Sequence, residues 1–152
     1  MRLLVTGGAG FIGSNFVRRA LETRPEIEIC VLDSLTYAGR LSNLSGLDGR
    51  YKFIHGDIRN AGLVDELVGD SDVVVNFAAE SHNDNSLVDP RAFLETNVWG
   101  TFELIQACVR HNVRFHQIST DEVFGDLPLH STEKFNAESQ YNPSSPYSSS
   151  KA

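Results

Sequence analysis

Two cysteines, one tryptophan and one methionine are all that this 152-residue chain holds of those residue types. Cys30 and Cys108 stand in neither a CxxC nor a Cys/His spacing, so a disulfide framework and a zinc site are both excluded as expectations. They read as small buried apolar residues in a reducing cytosol. The five histidines are dispersed, and no metal site is expected. Basic charge is also scarce: 13 Lys and Arg against 20 Asp and Glu give a net charge of −7, with no basic block. That balance argues against nucleic acid or an anionic membrane as the main partner. Long apolar runs are missing too. The first, Leu3 to Val5, is far too short for a signal peptide or a membrane span. The chain is expected to be soluble and cytoplasmic. What remains is ordinary globular composition, 41% hydrophobic and 22% charged, enough for one domain with a real core.

Short apolar runs alternate with helical spacings along the chain. Leu3–Thr6 reads as a strand that breaks at Gly7-Gly8-Ala9-Gly10. Phe11, Ile12, Phe16, Val17, Ala20 and Leu21 then share a helical face, and Pro25 ends that helix. Ile27–Leu32, Tyr51–His55, Asp72–Phe77 and Val113–Ile118 read as further strands, the last of them buried. Leu35–Gly49 is irregular, with a turn of helix. Asn60 is placed to cap a helix through about Val68. Asp89-Pro90 opens a long amphipathic one through Leu94, Val98, Phe102, Ile105 and Val109, which His111-Asn112 stops. After Asp121 the chain is polar and irregular until Ser144 or Ser145 opens one more helix. Five strand–helix alternations predict an α/β fold: a doubly wound parallel sheet with right-handed crossovers, of the Rossmann type.

Two groups of residues carry chemistry in that frame. Gly7, Gly10 and Gly13 lie between the first strand and its helix, where the backbone can approach a pyrophosphate and helix amides can point at it. Asp33 ends the second strand, where a carboxylate accepts from an adenosine ribose and repels a 2′-phosphate, so NAD is expected rather than NADP. Asp57-Ile58 is placed to meet the adenine. The second group follows the fifth strand. Ser119-Thr120-Asp121-Glu122 brings a hydroxyl and two adjacent carboxylates to the ligand-binding edge of the sheet, although such a pair, taken alone, reads as a solvated loop. Tyr147 and Lys151, four apart, share a helix face. A lysine ammonium beside a phenol lowers its pKa and makes it a usable base.

Together these residues resemble the extended short-chain dehydrogenase/reductase family. The matching stretches are Thr6-Gly7-Gly8-Ala9-Gly10-Phe11-Ile12-Gly13-Ser14, Asp33-Ser34-Leu35-Thr36-Tyr37-Ala38-Gly39, Gly56-Asp57-Ile58, Phe77-Ala78-Ala79-Glu80-Ser81-His82, Asn97-Val98-Trp99-Gly100-Thr101 and Tyr147-Ser148-Ser149-Ser150-Lys151. Ser119 to Val123 resembles the members that dehydrate dTDP-glucose. The resemblance implies cofactor contacts from Gly7, Gly10, Phe11, Ile12, Gly13, Asp33, Ser34, Leu35, Thr36, Asp57, Ile58, Phe77, Ala78, Ala79, Ser81, Thr96, Tyr147 and Lys151. It implies that Ser81 and Thr120 hold the sugar and that Tyr147, with Lys151, takes the proton of the 4-hydroxyl as hydride passes to NAD. Glu122 would then remove the C5 proton and Asp121 protonate the departing 6-hydroxyl. His82 would line the pocket or support it by a hydrogen bond, and Glu80 would fix its own loop. Where the family commonly shows His-Val-Asp-Arg-Ser, this chain has His82-Asn83-Asp84-Asn85-Ser86, and Phe124 replaces a frequent Tyr.

Family members continue well beyond the position of Lys151, with more sheet and a smaller domain that grips the nucleotide. Residues 1–152 are therefore read as the NAD-binding domain, the N-terminal portion of a longer enzyme that pairs as a homodimer. By themselves they are expected to bind NAD weakly and not to turn over. The competing readings are an NAD-dependent nucleotide-sugar epimerase or decarboxylase, which usually lacks the Asp-Glu pair, and a non-catalytic NAD-binding protein.

Overall fold

A computed structural model describes residues 1–152. Five parallel strands form one sheet: β1 (Arg2–Thr6), β2 (Glu28–Asp33), β3 (Lys52–His55), β4 (Val73–Asn76) and β5 (Arg114–Gln117), in the order β3-β2-β1-β4-β5. The α/β doubly wound parallel sheet expected from the sequence is thus observed. Side chains alternate across it. Leu3, Val5, Ile29 and Val31 pack on one face with Val17 and Leu21 of α1 (Phe11–Thr23). Leu4, Leu32 and Val74 pack on the other with Val64 and Leu67 of α2 (Ala61–Gly69) and with Leu104 of α5 (Thr101–His111). No helix is long and apolar enough to cross a membrane.

Capping follows the sequence closely. Asn60 accepts from the Leu63 amide at 3.1 Å, and Asp89 accepts from Arg91 at 3.1 Å with Pro90 at the first helical position. Asn112 takes the left-handed conformation, φ 53°, that closes α5. Ser145 and Ser148 form a reciprocal capping box, at 3.1 and 3.0 Å, at the start of α6 (Pro146–Lys151). A further short helix, α3, spans Asn83–Val88.

Two expectations change. The fifth strand is not buried. It is the sheet edge, and Arg114 and His116 are exposed. The long helix is also not uniform: α4 (Pro90–Phe93) runs through a π-helical stretch, Leu94–Gly100, into α5. Its apolar stripe points outward, with Leu94, Val98, Trp99, Phe102, Ile105 and Val109 all exposed. The face turned to the sheet is made of Phe93, Asn97, Gly100, Leu104, Ala107 and Cys108. Small residues let the rod lie close; a Cβ on Gly100 would come within 2.6 Å of Ile58. Likewise Phe11 and Ile12 do not join the core face of α1 but stand exposed at its start.

Candidate active site

The carboxyl ends of the strands are aligned by register, Thr6 beside Leu32 and Asn76, and Asn76 beside Gln117. A buried polar network braces these ends. Thr6 Oγ1 donates to Asn76 Oδ1 at 2.5 Å, and Asn76 Nδ2 donates to Gln117 Oε1 at 2.8 Å and Thr101 Oγ1 at 3.3 Å. Above them the segments that follow β1, β2 and β4 enclose a cavity of about 420 Å³, within the range of small-molecule sites. The crevice lies where strand order reverses around β1, the expected place in an open α/β sheet.

The glycine loop is its floor. Gly7 has φ 67°, and a Cβ there would sit 2.5 Å from the Ala78 amide nitrogen. A Cβ on Gly13 would collide with the Gly7 carbonyl oxygen. Only glycine lets the β1–α1 turn, the start of α1 and the backbone after β4 come this close. Gly10 caps α1 without a side chain, so the helix presents its first amides uncapped to the cavity. Asp33 is buried, and both of its oxygens are placed: Oδ2 accepts from the Ala9 amide and Oδ1 from the Leu35 amide, each at 2.8 Å.

Gly7, Gly10, Phe11, Ile12 and Gly13 line the cavity at this floor, Asp33, Ser34 and Thr36 on one wall, and Asp57 and Ile58 beside them. Phe77, Ala78, Ala79, Ser81 and Thr96 form the opposite wall, where Tyr147 and Lys151 close the end. Leu35 does not reach it. Its side chain packs against the core and only its amide serves the site, through Asp33. His82 is exposed and lies outside the cavity, as do Asn83 and Asn85.

Sequence reasoning missed Arg59 and Glu95, and gave Asn97, although it stands in a matching stretch, no role. Arg59 forks onto the Asp57 carboxylate, with its Nη2 2.7 Å from Oδ2, and reaches Glu95 at 3.0 Å. Burial pushes Asp57 up, but the hydrogen bonds and charge of Arg59 prevail and hold it below the ordinary carboxylate range. The one guanidinium of the cavity is thus occupied by carboxylates and is not free to take a ribose phosphate. Asn97 is buried in the π-helical stretch. Its Oδ1 accepts from the Glu80 amide at 2.8 Å, and its Nδ2 donates to the Glu80 carbonyl at 2.9 Å and to Ser150 Oγ at 2.8 Å. The loop after β4 is therefore fixed by Asn97 on the backbone of Glu80, not by the Glu80 carboxylate. An Asn inside a helical pattern whose apolar stripe does not include it was the available signal.

Tyr147 and the acidic pair meet at one end of the cavity. Thr120 caps a 3-10 turn, Asp121–Phe124, and accepts from the Glu122 amide at 3.3 Å. Asp121 and Glu122 are exposed beside the cavity, not among its lining. Phe124 packs on Phe135 and Tyr141, with ring centroids 5.3 and 5.5 Å away, and so ties the long following loop to this turn.

The lysine–tyrosine relation differs from the expectation. Lys151 Nζ donates to the Ile118 carbonyl at 2.7 Å, and burial lowers its pKa to about 8. The Tyr147 phenol is not lowered. Burial raises it above its ordinary value and the charges of Glu122 and Asp121 add to the rise, while a hydrogen bond with Thr120 opposes them. Burial is the largest cause and the two carboxylates add to it, while the Lys151 ammonium is turned to a backbone carbonyl.

The family model of GDP-mannose 4,6-dehydratase matches residues 4–152. The chain is 57% identical over 152 residues to a dTDP-glucose 4,6-dehydratase of Mycolicibacterium smegmatis, covering all of this chain and 46% of that one. It superposes on the dTDP-glucose 4,6-dehydratase DesIV of Streptomyces venezuelae, solved with NAD and TYD bound, with a TM-score of 0.91 and 49% identity over 99% of this chain and 48% of that one. A Thermus thermophilus UDP-glucose 4-epimerase in complex with NAD gives a TM-score of 0.86 and 31% identity, over 99% and 47% of the two chains. The chain spans about half the length of the curated relatives it matches.

Proposed function

Because the chain belongs to the GDP-mannose 4,6-dehydratase family, we propose that residues 1–152 are the NAD-binding domain, the N-terminal portion, of a lyase that dehydrates dTDP-glucose to the 4-keto-6-deoxy sugar. The glycine cradle, the uncapped start of α1 and the doubly held Asp33 fit NAD, with the pyrophosphate on the glycine loop and the adenosine ribose at Asp33. Held there, NAD would supply the hydride chemistry, from C4 of the sugar and back to C6.

The residues of the chain supply the proton chemistry. Thr120 and Ser81 hold the sugar, and Tyr147 removes the proton of its 4-hydroxyl. Lys151 lines the same end of the cavity with its ammonium on the Ile118 carbonyl, and offsets the phenolate charge only when it turns from that carbonyl toward the phenol. Once a ketone stands at C4 the C5 proton is acidic. Glu122 takes it, and Asp121 delivers a proton to the 6-hydroxyl, which leaves as water. Elimination of a poor leaving group needs an acid and a base together. The observation that carries the reading is the Thr120-Asp121-Glu122 turn set against Tyr147. An epimerase has no step that requires this pair.

Incubating the full-length protein with dTDP-glucose should give a 4-keto sugar, detected by its absorbance in alkali. Epimerisation of UDP-glucose without loss of water would transfer the assignment to the epimerases. A sample that binds NAD but alters no nucleotide sugar would leave a non-catalytic role.

The outward apolar stripe supports a homodimer built on the α4–α5 rod. A continuous apolar face of this kind is rare on a monomer. Phe102→Glu places a charge at the middle of that face. In sedimentation, the full-length protein should run at twice its chain mass and this variant as a monomer. Equal masses for the two would remove the stripe from the interface.

A further inference from the structure

The loop after β2 is pinned to the cavity floor at both ends. At its start Asp33 accepts from the Leu35 amide at 2.8 Å; at its end the Arg40 amide donates to the Ala9 carbonyl at 3.0 Å, joined there by Asn43 Nδ2 at 2.8 Å. Leu35 takes φ 51°, a left-handed conformation that is uncommon outside glycine and turns the chain back over Asp33. Gly39 closes the curl, since a Cβ there would lie 2.5 Å from Asp33 Oδ1.

Between these anchors Ser34, Thr36, Ala38 and Gly39 line the cavity, and Tyr37 does not. Its side chain leaves the wall it belongs to. The phenol oxygen accepts from the Ser81 amide at 3.4 Å, on the wall that follows β4. In the sheet β1 lies between β2 and β4. A contact joining the segments after β2 and β4 therefore crosses the glycine loop that follows β1. The bridge thus joins the two walls of the cavity on either side of that loop.

We propose that Tyr37 is a cofactor-retaining residue: by bridging to Ser81 across the glycine loop, it straps the dinucleotide into its cavity. The inference rests on the NAD-binding reading given above. A reaction in which one hydride leaves and returns to the same sugar fails whenever the reduced cofactor escapes in between. A bridge between the two walls slows that escape, and Tyr37 also lies near enough to Tyr147 for its charge to act on that phenol.

Tyr37→Phe isolates the contact. It keeps the ring, and Tyr37 is 51% exposed, so its thermal midpoint should match the wild type. The full-length protein is loaded with NADH, or with ADP-ribose as a probe lacking nicotinamide, and release is followed by rapid mixing with excess NAD. Loss of one hydrogen bond should speed release of both by about 3- to 10-fold. During turnover the variant should also lose NADH to an added enzyme that consumes it only in free solution. Wild-type release rates would overturn the strap. So would faster release of NADH with unchanged release of ADP-ribose, which would put the effect at the nicotinamide end. A wild-type protein that binds neither probe would overturn both this inference and the NAD reading. One that binds both but forms no 4-keto sugar would overturn the dehydratase reading alone, and the release rates would still decide the strap.

Discussion

Glu122→Gln in the full-length protein is expected to slow dehydration by about 10²- to 10⁴-fold, the range for loss of a positioned acid or base, while cofactor binding stays as it was. The side chain is exposed on a capped 3-10 turn whose hydrogen bonds are made by backbone and by Thr120. The swap should therefore change stability by only about 0.5 kcal/mol or less. It has a second consequence. Glu122 is one of the charges that hold the Tyr147 phenol up. Removing it lowers the phenol pKa, so the proton step of the C4 oxidation becomes easier as the elimination fails. The variant should accumulate reduced cofactor on the protein, seen as nicotinamide absorbance in a single turnover. Near wild-type formation of 4-keto sugar would remove Glu122 from the elimination.

Tyr147→Phe is expected to be as severe and to act earlier. It deletes the phenol oxygen proposed to take the first proton, so no reduced cofactor should appear at all, with turnover down by about 10²- to 10⁴-fold. The ring stays in place. It is nearly buried and packs edge-on against Phe93 at a centroid distance of 6.2 Å, so the thermal midpoint should hold. The pH profile of the wild type tests the same assignment. The Tyr147 phenol is raised by burial and by two carboxylates, so the fraction able to act as a base grows as pH rises. Lys151, lowered by burial to about 8, loses its charge before the raised phenol reaches its own titration range. Below that pH the ammonium is present and the phenolate scarce; above it the phenolate gains while its counter-charge is lost. The oxidation rate should climb with pH and then level or fall beyond about 8. A flat profile would mean that neither group sets the rate.

Much of the fold could be read from local chemistry. The period-2 and period-3.6 patterns and the capping residues Asn60, Asp89, Asn112 and Ser145 act over a few residues, so element type and most boundaries follow from them. The glycine spacing and Asp33 were legible for the same reason, since a β1–α1 turn and a strand end are local events. The burial of β5 was misjudged because an apolar run does not tell whether a strand has one neighbour or two. The stripe on α5 was legible as amphipathic, but period alone does not say which side faces the sheet.

The sequence by itself determined the parallel α/β class, the glycine turn after β1 and the residue types able to move protons, because each depends on backbone geometry or side-chain chemistry within a short stretch. Only the tertiary structure decided the relations between stretches far apart in the chain. It turned Lys151 toward Ile118 while two carboxylates faced Tyr147. It placed Asn97 between Glu80 and Ser150, locked Arg59 onto Asp57 and Glu95, and carried Tyr37 across the glycine loop to Ser81. Those contacts arise where strand order brings separate loops to one edge of the sheet, and the electrostatic balance of the site is the sum of charges that meet only there.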